Sequence, residues 1–441
     1  MAQDAVITHW DHQKYISFLQ CDDLEFVEKD TLVKSILSYA NFSGKGQYFD
    51  LHHKQSLNKF FGIFVNTQKL SQEGVFNQSE VKMYDVDWGV NFRNKSSTYE
   101  FSSIFNYQKV EKEESGGLIS YETELFDDPL LNPVYLIAAQ SFVKKRKFKL
   151  NHSYDINHVW KLIHSWERNK SYQLFNDEEL NFNFYNQFFI DSIQTNDSLY
   201  QAYSKHYLGL KHNSFSLNYV ALQEKYGTTY IDTARSFHGI QLLFNKQNFN
   251  FQFDYLQHKQ HHFYLTYEAP HFEVSLESKN VSPSLNHETY YSNHFSWNHE
   301  WNNVLEQKLK TNYNYNGLEF FLNMNRHQNH LFLDESISWQ QANETIYQLK
   351  ITAAKNWNWK SLNAYHQLCY NWTSNEAILR VPTYHFKSDL YFKSSLFNDA
   401  MMAKLGVSFD YFKEYYALAY SPVLAEMYLQ NNQLIGNYPL A

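Results

Sequence analysis

The sequence predicts an all-β chain folded as an antiparallel transmembrane β-barrel. Three observations predict it: side-chain character alternates with period two, no run is apolar enough for a membrane helix, and aromatic residues are abundant. Asn248 to Tyr255 shows the alternation, with Phe249, Phe251, Phe253 and Tyr255 at odd positions and Asn248, Asn250, Gln252 and Asp254 at even ones. Alternation at 180° per residue gives a strand two unlike faces. A membrane helix needs about 20 consecutive apolar residues, and the stretch Leu131 to Ala139 is far shorter. Mean hydropathy is −0.58. The 36 Phe, 35 Tyr and 10 Trp make 18% of the chain, more rings than a soluble core readily absorbs. A barrel places them in a lipid-facing band with aromatic girdles.

Taken in order, residues 1–32 are mixed and charged and read as a periplasmic lead-in, with residues 33–441 as the barrel. Met1-Ala2-Gln3-Asp4 lacks the basic and apolar regions of a signal peptide and is read as a mature start. Val86, Trp88, Val90 and Phe92 form the first clear stripe, followed by Tyr99, Phe101 and Phe105. Residues 127–143 do not alternate cleanly, and Pro129 and Pro133 disfavour a central strand, so a short helix or folded-in loop is expected. Further stripes are Phe215, Leu217, Tyr219; Phe272, Val274, Leu276; Phe295, Trp297; Leu318, Phe320, Leu322, Met324; Tyr347, Leu349, Ile351, Ala353; and Leu405, Val407, Phe409, Tyr411. Phe321 interrupts one of them. Lys112 to Gly117, Ser278-Lys279-Asn280 and Ser374-Asn375-Glu376 read as connectors. At roughly 22 to 26 residues per strand with its connection, about 16–18 strands are expected.

Soluble propellers and sandwiches also alternate, but no repeat of blade length is visible. With 38 basic and 46 acidic residues, a net charge of −8 gives no nucleic-acid footprint. Cys21 and Cys369 lack metal-ligand spacing, and the sequence leaves their pairing open. The His258, His261, His262 cluster has no following glutamate in the zinc-protease pattern and reads as strand and turn, and His52-His53 is weaker. Asp22-Asp23 and Asp127-Asp128 lack calcium-loop spacing. No nucleophile elbow, phosphate loop or paired acid chemistry stands out, so no catalytic residue, metal or cofactor is expected. Tyr290-Tyr291 and Trp357, Trp359 read as members of an interfacial belt rather than sugar-stacking platforms.

Two stretches carry a family resemblance. One is Val134-Tyr135-Leu136 with Lys147-Phe148-Lys149-Leu150-Asn151-His152-Ser153-Tyr154-Asp155-Ile156. The other runs from Phe409-Asp410-Tyr411-Phe412 through Tyr415-Tyr416-Ala417, Tyr420-Ser421-Pro422 and Met427 to Asn431 into Ile435-Gly436-Asn437-Tyr438-Pro439. With the Glu114 to Leu118 turn, they resemble the "Putative porin" family of Bacteroidota-type outer membranes, from about residue 40 to the end. The resemblance implies a barrel in the outer membrane of a Gram-negative bacterium, assigned to passive diffusion, with no enzymatic site. Similar proteins continue with further strands beyond Ala441, so the expectation is either a chain incomplete at its C-terminus or an unusual barrel that closes early.

On the barrel reading, Asn250, Gln252, Asp254, Glu273, Ser275, Glu277, Asn323, Ser408 and Asp410 line a lumen. Lys145, Lys147 and Lys149 share a face opposite Phe148, Leu150, His152 and Tyr154 and form a ladder favouring anions. The competing reading leaves them near the membrane surface, solvated or paired with acids. The expected partners are outer-membrane lipid and small polar solutes or ions, with self-association left open. An active transporter would need a globular plug before the first strand, and strand texture begins near residue 33. A surface scaffold or binding barrel is the other class that the sequence admits.

Overall fold

A computed structural model describes residues 33–42, 45–74, 76–119, 128–398 and 401–437. The lead-in, Cys21, Asp22-Asp23, Asp127 and the terminal Tyr438 to Ala441 lie outside the described residues.

Alternating stripes become strands. The first thirteen are β1 (Lys34–Phe42), β2 (Gly46–Asn58), β3 (Phe61–Gln72), β4 (Val81–Arg93), β5 (Tyr99–Glu113), β6 (Gln140–Asp155), β7 (Trp160–Asp177), β8 (Thr195–His212), β9 (Phe215–Thr228), β10 (Asp232–Lys246), β11 (Phe249–Leu256), β12 (Gln260–Ala269) and β13 (Phe272–Val281). Two short hairpins occupy later connections: β14 (Thr289–Tyr291) with β15 (Ser296–Asn298), and β18 (Leu331–Leu333) with β19 (Trp339–Gln341). The main sheet continues through β16 (Val304–Tyr315), β17 (Leu318–Gln328), β20 (Ile346–Trp359), β21 (Leu362–Thr373), β22 (Tyr384–Leu396) and β23 (Met401–Phe412). After it come β24 (Tyr415–Tyr416), β25 (Ala419–Ser421), β26 (Glu426–Tyr428) and β27 (Leu434–Ile435), paired β24 with β27 and β25 with β26.

Nineteen strands form one antiparallel meander, slightly more than residue economy suggested because many connections hold only two residues. Each strand pairs with the next main-sheet strand in the chain. Among the described residues, β1 and β23 each have one partner and stand as the edges.

The two ends differ. At one end connections run from two residues (59–60) to five (94–98); at the other they run from three (229–231) to 26 (114–139). The tight turns use left-handed backbone, which two-residue hairpins require. Asn316 and Gly317, a two-residue connection, have φ of 50° and 71°; in the four-residue connection 397–400, Phe397 and Asn398 have 56° and 54°.

The sheet curls. β5 and β23 stand fourteen strand positions apart, about 67 Å if flat at about 4.8 Å per strand. Yet Tyr420, eight residues beyond β23, bonds Glu114 directly after β5 at 3.3 Å. Eight extended residues reach at most about 28 Å.

Three sequence expectations change. Ser278-Lys279-Asn280 is not a connector but the end of β13, where its residues pair with β12 and β16. Lys279 is polar because it faces the polar wall, and only Ser278 and Asn280 lie on the other face, beyond Leu276. Phe295 and Trp297 do not belong to a barrel strand: Ser296–Asn298 pairs only with Thr289–Tyr291 within the 282–303 connection. Tyr290 is buried there and stacks on Trp297 at 4.5 Å, so it is a packing residue rather than a belt residue. Residues 128–139 fold in as expected, through a 3₁₀ turn at Pro129–Leu131 capped by Asp128.

Candidate functional site

Register assigns every strand residue to one of two faces. Following partners across the sheet, Asp85 opposes Gln108, Gln108 opposes Lys145, and Lys145 opposes Ser171. The same walk continues through Gln201, Gln241, Asp254, His262 and Lys279 by parity. Lys145, Lys147, Lys149, Asn250, Gln252, Asp254, Glu273, Glu277, Asn323, Ser408 and Asp410 all fall on this one polar face. The other face carries the rings and aliphatic side chains, with Leu405 82% and Val407 71% exposed.

The polar face is the concave one. Connections from distant strands meet over its upper ends: Phe175 of β7 packs with Leu136, Tyr185 and Val423, and Tyr226 of β9 packs with Tyr290, Leu333, Trp339 and Leu424. Side chains from far-separated strands converge only on the inside of a curl.

The wall is hydrogen-bonded and mixed in charge. Asn106 donates to Asp85 at 2.9 Å and to Asp87 at 2.5 Å. Lys147 lies 3.6 Å from Glu167, which also accepts from the Tyr203 hydroxyl at 2.7 Å. The lysine ladder is therefore set between Asp85 and Asp87 on one side and Glu167 on the other. Gln252 donates to Asp254 at 3.0 Å, and His262 bridges towards Glu277 at 3.0 Å. Asp410 bonds His385 at 2.6 Å; Ser408 opposes Asp389, Glu273 opposes Glu268, and Asn323 opposes Lys350. The eleven residues share a wall, not a focus: the ladder on β6 and the pair on β23 are thirteen strand positions apart.

The histidine cluster is dispersed by the fold. His258 sits in a left-handed turn, while His261 and His262 alternate between the ring face and the polar face. Trp357 and Trp359 stand exposed on the ring face beside a tight turn, as an interfacial belt requires.

The sequence reading missed a cap. The long connections and residues 413–437 fold together over the mouth of the concave face. Glu114 is buried there, accepting from Ser141 at 2.6 Å and Tyr420 at 3.3 Å, with Lys112 at 3.0 Å. Burial holds its carboxyl above the usual range, against the opposing pull of Lys112. Asn293 fixes two connections together: its amide N–H bonds Asp197 at 3.0 Å, and its side chain bonds the Asp191 carbonyl at 2.8 Å. His294 stacks on Tyr185 at 4.0 Å, and Tyr185 donates to Asp177 at 2.5 Å. Arg235 rises from the polar face of β10 to bond Glu224 at 2.5 Å and Glu288 at 2.9 Å. On the far side the Leu429 N–H donates to the Leu333 carbonyl at 3.0 Å. Its partners are scattered through the sequence, so only the density of Trp, Tyr and His in 282–303 hinted at it.

A family model described as "Putative porin" matches residues 8–441. No curated protein matches the sequence. Among solved structures, the siderophore receptor PiuA from Acinetobacter baumannii is similar at a TM-score of 0.54 and 10% identity, covering 89% of this chain and 72% of that one. A mutant of the ferric enterobactin receptor PfeA from Pseudomonas aeruginosa gives 0.57 and 10%, covering 92% and 72%. The copper transporter OprC gives 0.58 and 10%, covering 88% and 68%. At such identity the likeness shows the outer-membrane barrel fold and nothing of what is bound.

Proposed function

The chain belongs to the "Putative porin" family, and from that premise we propose that it is a non-enzymatic outer-membrane barrel passing small polar solutes or ions by passive diffusion. The observation that carries this is the continuous polar face, on which all eleven predicted wall residues coincide. Barrels of this size leave room for water, and wall charge filters what passes. Oriented with its short turns in the periplasm, the barrel places the cap at the cell surface.

The cap favours a second reading, a surface scaffold or binding barrel sealed against flow, because its packed clusters lie across the mouth. Planar-bilayer conductance separates the two. A porin gives ohmic single-channel steps with the cap intact. A sealed barrel conducts only when the cap is loosened, for instance by Tyr420→Ala with Glu114→Ala. Silence from both proteins after verified insertion rejects diffusion.

A further inference from the structure

The convex face carries a pattern the proposed pore does not use. On the short-turn side its rows are mostly apolar: β7 presents Trp160, Leu162 and Trp166, and β6 presents Tyr154, Leu150 and Phe148, with one row of stacked rings, His152 on His164, between them. The rows then turn basic. Lys69 opposes Tyr84, Tyr84 opposes Lys109, and Lys109 opposes Lys144. One row closer to the short turns, Tyr107 opposes Arg146, and Arg146 opposes Lys170; Arg168 lies beside Phe148. Lys82 adds a charge one row further out, opposite Glu111.

Seven bases thus occupy five adjacent strands, against Glu80, Glu111 and Glu113 nearby. Two are in ion pairs, Lys82 with Glu80 at 2.7 Å and Lys109 with Glu111 at 2.6 Å. A cavity of about 460 Å³ opens here, lined by Lys69, Lys82, Tyr84, Tyr107, Lys109 and Glu111. On β8 and β9 the corresponding level carries Tyr200, Ala202, Ser204, Gln223 and Lys225, so the charge is local.

Depth gives the patch its meaning. From Trp160 to Arg168 is about 27 Å along the strand, or about 20 Å of height at a tilt near 40°. Arg168 therefore stands near the upper edge of an apolar band about 25 Å tall, and the bases beyond it reach the level of lipid headgroups. Lys109 directly opposite Lys144 is a like-charge cross-strand pair, destabilising on its own; Glu111, 2.6 Å from Lys109, offsets one charge, and an anion beside Lys144, which lies over the Tyr107 ring at 5.6 Å, offsets the other.

We propose that this patch binds the phosphorylated headgroup of an anionic glycolipid in the outer leaflet. Phosphates sit among Lys69, Lys109, Lys144 and Arg146, sugar faces meet Tyr84 and Tyr107, and acyl chains lie on the apolar rows below. This rests on the outer-membrane reading.

The test uses the full chain in phosphatidylcholine nanodiscs with and without diphosphorylated lipid A, with retained lipid A counted by native mass spectrometry. Each neutralised base is expected to lower retention about fivefold, since a basic residue near an anionic surface contributes about 1 kcal/mol. The triple variant Lys109→Gln, Lys144→Gln, Arg146→Gln should lose roughly a hundredfold. Should that variant fail to insert, Arg168→Gln with Lys170→Gln should lose about twenty-five-fold. Lys355→Gln, on the convex face beside a tight turn, should change nothing. Equal retention of dephosphorylated lipid A, full displacement by inorganic phosphate, or retention indifferent to the substitutions overturns the proposal. Failure of the native chain to insert into either nanodisc overturns the outer-membrane reading itself and the proposal with it.

Discussion

At the residue scale, adjacent positions differ by face, and so should the cost of the same substitution. Leu276 stands on the convex face in a row with Leu265, Leu309 and Met324, and Ser275 next to it faces the polar wall. Leu276→Arg is expected to destabilise the folded barrel by about 2–4 kcal/mol, the cost of a base on the lipid face near mid-depth. Ser275→Arg should cost under about 1 kcal/mol; reversible urea unfolding in lipid vesicles measures both. That Lys145, Lys147 and Lys149 share a face was legible from spacing, but their neighbour was not. Glu167 comes to Lys147 only through the β6–β7 register. Glu167→Gln is expected to raise the anion-to-cation permeability ratio of the reconstituted pore severalfold, and reversal-potential measurements in a salt gradient read it. The scarcity of glycine also resolves here: more non-glycine than glycine residues among those described take left-handed φ, so Asn, Gln, Lys and His do turn work that glycine commonly does.

At the element scale, strands were legible because period two survives without knowledge of any partner. The stripes at 86–92, 215–219, 249–255 and 405–411 all became main-sheet strands. Phe295 and Trp297 misled because a two-residue alternation of rings looks the same in a three-residue hairpin as in a spanning strand. What separates them is length and pairing, which local texture does not encode. The cap is the element most exposed to pH. Burial holds His287, beside Trp339, and His330 down to about 4, with His327 adding to the effect at His330. The unfolded segment takes up these protons near the ordinary value of 6.5, so their contribution is full above that pH and falls away towards 4. Glu426, raised by burial to about 7, has the opposite sign: its cost is present at neutral pH and relieved on acidification. Protection factors of cap amides, which set aside the intrinsic slowing of exchange in acid, should therefore fall from pH 6.5 to 4 in the native chain. His287→Asn with His330→Asn should abolish or reverse that trend. An unchanged trend would place its cause elsewhere than these two rings.

At the scale of the whole molecule, the sequence carried the class of architecture and the identity of the two faces, but neither the curl nor the cap. Both depend on contacts between residues hundreds of positions apart, such as Tyr420 with Glu114. Curvature decides which face is enclosed, and the cap decides whether the enclosure is open. The proposed diffusion depends first on the two faces. Their most direct test places single cysteines along Phe249–Leu256 in a background where Cys21 and Cys369 are serine, in protein reconstituted into lipid vesicles. Each site is probed with a membrane-impermeant charged maleimide, and with a bimane label read by lipid-borne quenchers. Positions 250, 252 and 254 are expected to react with the aqueous reagent and escape the quenchers, and 249, 251, 253 and 255 to do the reverse. Reactivity that ignores parity, or rings at the odd positions shielded from lipid, would contradict a wall with one wet and one lipid-facing side.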